Sequence, residues 1–529
     1  MAAARTMVRD MAHHRGWERL LTLASLLLAI FFGLWSLRGI SGSSSIADYD
    51  TARHGLNGAF VLDMFRHWKI AHPVQYGYWY YSRLPALSLP YHPPLFPVFE
   101  ALIFSIFGVS PFSARLAVAI AATVAVLLMI RLLRKSHGSP LLAFMVTASF
   151  FALPTVQRLS NTVMLEIPAL VFVLAAFLFL VPDEEILQTR RSLWFAIFAA
   201  AAIWTKQTVF LLPLPFLYVL VSGRWNLIRR SYFWIDSFVV GASGIGLAML
   251  ARELQWNGIN QSWARESALQ HLVHNWNFYL HYGLPGLVLV GLCLLSYRLP
   301  GGRYDFTKDR LYIAWLLATV LILLPAPAYS PRYMFFSIPP VLVLLYNGLR
   351  RVGGLLSPQY RWVVAAAVCL VLVAYGLVNA HVVYLRGPAE VAKILHDSGH
   401  RRLLYCGGST NGAFIFAVRT NDSTLSTIVI RGDKLPEGTF DPEQLRGFVS
   451  RYGIEAVVLE RTDRPQAWDD LSSETLPFLS FERVVPLTDS DHQMSGSLLV
   501  YRVPNPSKVP ESSLPVPISV LGRDVELRF

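Results

Sequence analysis

The chain has 529 residues, of which 54% are hydrophobic and only 15% charged, with a mean hydropathy of +0.43. A soluble domain with an ordinary core does not carry that apolar excess, so the composition points to an integral membrane protein. The net charge of +12 is read as cytoplasmic loop charge and not as a nucleic-acid groove. The three cysteines, Cys293, Cys369 and Cys406, are too scattered for a disulfide framework or a zinc spacing.

A basic N-terminus (MAAARTMVRDMAHHRGWER) leads into an apolar run from Leu20 to Leu37 without a small-residue cleavage site, which reads as an uncleaved first helix. Further runs near spanning length fall at 115–133, 139–157, 163–182, 192–205, 207–222, 232–250, 281–297, 311–327, 334–349 and 362–383. About eleven crossings are expected. The apolar segment Pro93 to Gly108 is short, proline-rich at its start and interrupted by Glu100. If it lies in the interface, the N-terminus, Arg131 to Lys135, Arg224 to Arg230, Arg298 to Arg310 and Arg350 to Arg361 all collect on one side, as cytoplasmic Lys and Arg do. It is therefore expected to be a juxtamembrane helix.

The extracytoplasmic side then receives the first loop (38–114), the turns at Gln157–Asn161 and Thr205–Lys206, the 252–280 loop, the link 328–332 and everything after Leu385. Strand-like runs at 403–405, 426–430, 456–460 and 498–502 alternate with helical ones at 389–398 and 442–451. The expected fold is a polytopic α-helical membrane domain over 1–385, a small extracytoplasmic α/β domain over 386–505 and a Pro/Ser-rich tail over 506–529. The turn Cys406-Gly-Gly-Ser-Thr410 before a helix could cradle a phosphate, but no lysine completes a P-loop, and a plain turn is the better reading.

The octet DYDTARHG, right after the first helix, holds Asp48, Asp50, Arg53 and His54. Taken alone, its aspartates read as solvated charges or a helix cap. The same loop continues with Tyr76, Tyr78, Trp79, Tyr80, Tyr81, Tyr91 and His92, which suit sugar rings or polyprenyl chains and equally suit an interfacial aromatic belt. Glu166 lies at the outward end of an apolar helix, where a carboxylate costs up to roughly 2.5 to 3.5 kcal/mol at mid-depth and so needs a cavity or a partner such as Arg158. Lys206 raises the same question, with snorkelling as its structural answer. Arg332 and Tyr333 sit in a tight outward turn; cations converging from separate loops are what a phosphate site requires.

In order and spacing these motifs resemble the GT-C superfamily of membrane glycosyltransferases, in the branch of protein O-mannosyltransferases and lipid A aminoarabinose transferases. The family pattern is an Asp-Glu-x-Arg-Tyr-like motif after the first helix, then Lys-Pro-Pro, an apolar stretch, a Gly and Ala-Arg-Leu. The matching residues are Asp50 to His54, His92-Pro93-Pro94, Phe107-Gly108 and Ala114-Arg115-Leu116, and the resemblance runs over about 15–385. Thr51, His92 and Glu166 replace the family's Glu, Lys and Asp.

The resemblance implies transfer of one sugar from a polyprenyl-phosphate donor to a protein, lipid or glycan acceptor, with inversion. Asp50 would be general base, Glu166 a second acid, and Arg53, His92, Lys206, Arg332 and Tyr333 donor contacts. Asp48, Tyr81, Tyr91 and Arg158 would line the substrate. No cofactor is required by this reading; for a divalent metal the weak candidate ligands are His271, His274 and Glu100. Membrane lipids and no nucleic acid are the other expected partners, and a bacterial plasma membrane with a cytoplasmic N-terminus the expected location. The competing class is a transporter or lipid flippase, in which Glu166 and Lys206 would line a pathway.

Overall fold

The computed structural model describes residues 2–40, 49–89, 91–181, 187, 190–258, 308–323, 331–408, 410–463, 465–472, 474–490, 495–507, 513–520 and 523–528. The expected crossing at 281–297, Cys293, Tyr329, Asp48, His271 and His274 lie outside these. The apolar runs form α1 (Ala2–Ser36), α5 (Pro111–His137), α6 (Pro140–Ala152), α7 (Pro154–Asn161), α8 (Glu166–Leu180), α9 (Ser192–Thr205), α10 (Leu214–Ser222), α11 (Ser231–Gly258), α12 (Arg310–Leu323), α13 (Ile338–Leu356) and α14 (Val363–Val378). The first loop adds α2 (Tyr49–Arg66), α3 (Pro73–Arg83) and α4 (Leu95–Phe107).

Among the described residues, Glu18–Ser36, Pro111–His137 and Ser231–Leu250 are long and apolar enough to cross a membrane. Proline explains why others are shorter than their apolar runs, because it removes a backbone donor and clashes with the preceding turn. Pro154 splits the 139–157 run into α6 and α7, bent by 68°. α4 has 13 residues and so about 20 Å of length, short of a bilayer core of about 30 Å. It buries Phe96, Glu100, Ile103 and Phe104 while exposing Val98, Leu102 and Ile106, the one-sided pattern of a helix lying along a surface.

Helix ends follow their local chemistry. α5 begins with a capping box between Ser110 and Ser113 and ends at Gly138, whose φ of 68° is left-handed. At that end His137 meets Asp309 at 2.9 Å and Asn347 donates to the same carboxylate at 2.9 Å, closing the side of the bundle opposite the first loop.

The tail domain is a six-stranded sheet in the order β1-β5-β6-β4-β2-β3, built from β1 (Leu385–Arg386), β2 (Arg402–Cys406), β3 (Ile428–Arg431), β4 (Ala456–Thr462), β5 (Ser480–Asp489) and β6 (Ser495–Arg502). β2 runs parallel to β3 and β4, and the other pairings are antiparallel. Its helices are α15 (Pro388–Asp397), α16 (Asn411–Asn421) and α17 (Pro442–Tyr452). A separate hairpin, β7 (Ser513–Val520) and β8 (Arg523–Arg528), occupies the stretch read as a Pro/Ser-rich tail. In the turn before α16, Thr410 donates to the buried Glu460, so a carboxylate stands where a phosphate cradle would need a cation.

The neck between bundle and tail domain is stapled. Arg115 donates to the Val383 carbonyl at 2.7 Å, the Val383 amide donates to Asn161 at 3.0 Å, and Arg38 donates to the His381 carbonyl at 3.1 Å. Just before it, α14 touches α6 backbone to backbone: a Cβ at Gly376 would stand 1.8 Å from the Ala152 carbonyl oxygen. Gly376→Ala should therefore force the two helices apart at a cost of about 1 to 3 kcal/mol, read as a lower thermal midpoint of the detergent-solubilised protein.

Candidate active site

Asp50, Arg53, His54 and Asn57 follow the i, i+3, i+4, i+7 pattern and so share one face of α2. Asp50 sits in the first turn, where an anion is favoured by the exposed amide groups. Asn57 donates to the Ser88 hydroxyl at 2.9 Å and accepts from the Ser88 amide at 3.0 Å. The Ser88 carbonyl in turn accepts from the His92 amide at 3.0 Å. This chain seats the His92 ring edge-on against His54, with centroids 4.3 Å apart. Gln207, next to Lys206, fixes the loop from the other side by donating to the Tyr91 carbonyl at 2.6 Å.

Two ion pairs from distant parts of the chain meet here. Arg332 donates to Asp50 at 2.7 Å, and Lys206 lies 3.0 Å from Glu166. Arg53, Lys206, Arg332 and Asp50 all act electrostatically on His92, so the expected convergence of cations is present. The two pairs differ in access. Asp50 keeps 23% side-chain exposure and Arg332 29%, whereas Glu166 keeps none. Of the two acids, Asp50 is the one open to an incoming group.

The electrostatics follow from burial and charge. Burial pushes the His92 imidazole down to about 3, against the attraction of Asp50 and helped by Lys206, Arg53 and Arg332. Burial likewise drives His54 well below its usual range, so both rings are neutral at physiological pH. For Asp50 burial acts upward, but it is outweighed by the interactions with His92, His54 and Arg332 and by the Arg332 hydrogen bond. Its carboxyl is held well below the ordinary range; with the rings neutral, the guanidinium is the charge that remains responsible.

The other expected residues fall less uniformly. Tyr81 is buried and Tyr91 half-buried beside the site, its ring 4.9 Å from His92. Tyr76 and Tyr80 are core residues packed on Phe60 and build the α2–α3 interface, while Trp79 stays exposed. Arg158 is exposed on α7. Tyr333 shares the 331–337 turn with Arg332. Glu100 is buried under Gly58 of α2, with neither oxygen hydrogen-bonded among the described residues. No group of three or more His, Cys, Asp or Glu side chains that could hold a metal is found among them. His54, Asn57 and Gln207 carry no role in the sequence reading, although the helical spacing from Asp50 marks the first two.

An apolar groove of about 660 Å³ lies among the same helices, lined by Leu62 and Phe65 of α2, Phe96 and Phe99 of α4, and Pro168 and Phe172 of α8. His92 lies just before α4, and Glu166 opens α8. The helices that follow His92 and begin at Glu166 thus also wall the groove, although none of the ionic side chains lines it.

The depressed imidazole of His92 makes a pH prediction. A group whose pKa is lower in the folded state contributes stability that is full above its unfolded value and is lost as pH falls toward its folded value, a window here of about 6.5 to 3. Thermal midpoints of wild-type protein should drop between pH 6.5 and 4.5, and His92→Gln should flatten that drop.

Comparison with known proteins bears on the fold and on one segment of the chain. Residues 91–251 match the family model for dolichyl-phosphate-mannose-protein mannosyltransferases. ArnT from Cupriavidus metallidurans, solved bound to undecaprenyl phosphate, superposes with a TM-score of 0.56 at 16% identity, covering 94% of this chain and 99% of that one. Its apo form gives 0.55 at 15% identity, covering 92% and 98%. The oligosaccharyltransferase of Archaeoglobus fulgidus, solved with Zn and sulfate, gives 0.52 at 14% identity over 89% of this chain and 72% of that one. Among curated proteins no sequence matches significantly. The chain thus shares its overall fold with these membrane glycosyltransferases, and its residues 91–251 are similar to the mannosyltransferase family model.

Proposed function

We propose that the protein transfers a single sugar from a polyprenyl-phosphate donor to an acceptor hydroxyl or amine on the extracytoplasmic side of a bacterial plasma membrane, with inversion at the anomeric carbon. The observation that carries this reading is the meeting of Asp50–Arg332 and Glu166–Lys206 around His92, and the apolar groove walled by α4 and α8 is read as the place of the donor's hydrocarbon chain. The ArnT and mannosyltransferase likenesses add a donor of the same chemical type, a polyprenyl or dolichyl phosphate.

The acceptor oxygen attacks the anomeric carbon as the bond from that carbon to the phosphate oxygen breaks. The acceptor proton passes to Asp50, and the products are the glycoside and the polyprenyl phosphate. Asp50 is the base because its carboxylate is reachable and Glu166 is sealed. A guanidinium-paired carboxylate is a weak base, and Arg332 can relieve this. Drawn toward the donor phosphate, it loosens its hold on Asp50 and lets the carboxyl become more basic as substrate arrives. Lys206, Arg53 and Arg332 offset the charge left on the departing phosphate, and Glu166 holds Lys206 in place. Neutral His54 and His92 orient the loop without competing for the proton. The acceptor is a protein, lipid or glycan presented at this side.

The test is incubation of purified full-length protein with labelled polyprenyl-phosphate sugars. Asp50→Asn should lower turnover by about 10² to 10⁴, the usual contribution of a general base. Turnover that survives Asp50→Asn overturns the assignment, and substrate-dependent flux in vesicles without turnover would favour a transporter.

A further inference from the structure

The C-terminal domain touches the first loop through arginines. The strongest contact is on α2 itself, where Asp63 lies on the helix that begins with Asp50. Arg419 of α16 reaches both Asp63 oxygens, at 2.7 and 2.5 Å, and the Tyr80 hydroxyl adds a third bond at 3.1 Å. Both charged side chains are 2% exposed. Two weaker ties flank them: Arg83 donates to the Leu425 carbonyl at 3.2 Å, and Arg431 donates to the Pro85 carbonyl at 3.0 Å.

A buried ion pair is poor evidence for stability, since apolar side chains of similar volume often serve as well. Its distinctive property is direction. A guanidinium fork on a carboxylate fixes both separation and angle, which packing alone leaves looser. On the opposite side α2 is held by a tight fit: a Cβ at Gly58 would meet Glu100 and Phe104 of α4 at 2.6 and 3.0 Å. α2 therefore has a close-packed pivot in its middle and a directional lock near its end, and its first turn presents Asp50, Arg53 and His54.

We infer that Arg419, acting through Asp63, is a positioning residue that sets the placement of Asp50, making the C-terminal domain part of the catalytic unit. This rests on the reading of Asp50 as base. Of the donor cations, Arg53 shares α2 with Asp50 while Lys206 and Arg332 stand on other elements, so the lock bears on Asp50 and Arg53 and leaves the other two in place.

The test uses full-length protein and the variant Asp63→Leu/Tyr80→Phe/Arg419→Met, which leaves no buried charge or hydroxyl alone. It should fold, yet kcat with a polyprenyl-phosphate sugar should fall on the order of 10- to 100-fold, as a misplaced catalytic group does, while donor KM rises less than kcat falls. Amide exchange at 50–54, at the far end of α2, should be faster. Unchanged kcat or unchanged exchange at 50–54 overturns the inference. Arg419→Lys, which keeps the charge without the fork, should give an intermediate kcat; it carries the same test if the triple variant does not fold. If wild-type protein shows no turnover with any donor, the proposed function fails while amide exchange still decides the inference.

Discussion

A carboxylate taken out of water calls for a cation or neutral donors, and apart from Glu100 the carboxylates of this site and of the tail-domain contact find them across very long sequence separations. Asp50 and Arg332 are 282 residues apart, Asp63 and Arg419 are 356, and His137 and Asp309 are 172. Because such groups are expensive to leave alone, each pair fixes the relative position of elements that apolar packing would leave free to slide. The helices supply the hydrophobic mass, and these polar contacts select one arrangement of it. The first loop depends on this most, since α2 joins both the Asp50 and the Asp63 pairs.

Membrane character, most apolar helices and most of the small tail domain are legible in the sequence because hydropathy and strand alternation are local signals. Asp50, Glu166, Lys206 and Arg332 are legible as charges without a stated neighbour at the ends of apolar segments. What the chain does not display is which charge answers which, because pairing depends on how helices pack. Arg158 is nearer to Glu166 in sequence than Lys206, yet Lys206 forms the ion pair. Asp63 is silent in the sequence, since an aspartate near the end of a loop helix looks like any solvated residue until Arg419 is brought to it. The aromatic run 76–81 misleads for a related reason: stacking rings and packing rings have the same composition, and only the position of Phe60 tells them apart. Strand β5 is hidden because Pro486 interrupts its pattern, although it pairs with β6 through an irregular register.

The site also shows a division of labour between its two acids. Glu166, sealed and paired to a lysine, behaves as a fixed charge that orients a cation. Asp50, with a partly open arginine, has a partner that a competing anion can reach. Under the proposed function the donor's phosphate is such an anion, and its arrival and the readiness of Asp50 become one electrostatic event.

The neck at 376–383 bears on how substrates come and go. Arg115, Arg38 and Gln157 donate to its carbonyls and Asn161 accepts from its Val383 amide, which ties the tail domain down on the side where it joins the bundle. Lifting that domain away like a cap would break these bonds and the Asp63–Arg419 pair together. Under the proposed function, a lipid-borne donor then enters from the flank, where the groove between α4 and α8 lies, and not beneath a lifted tail domain.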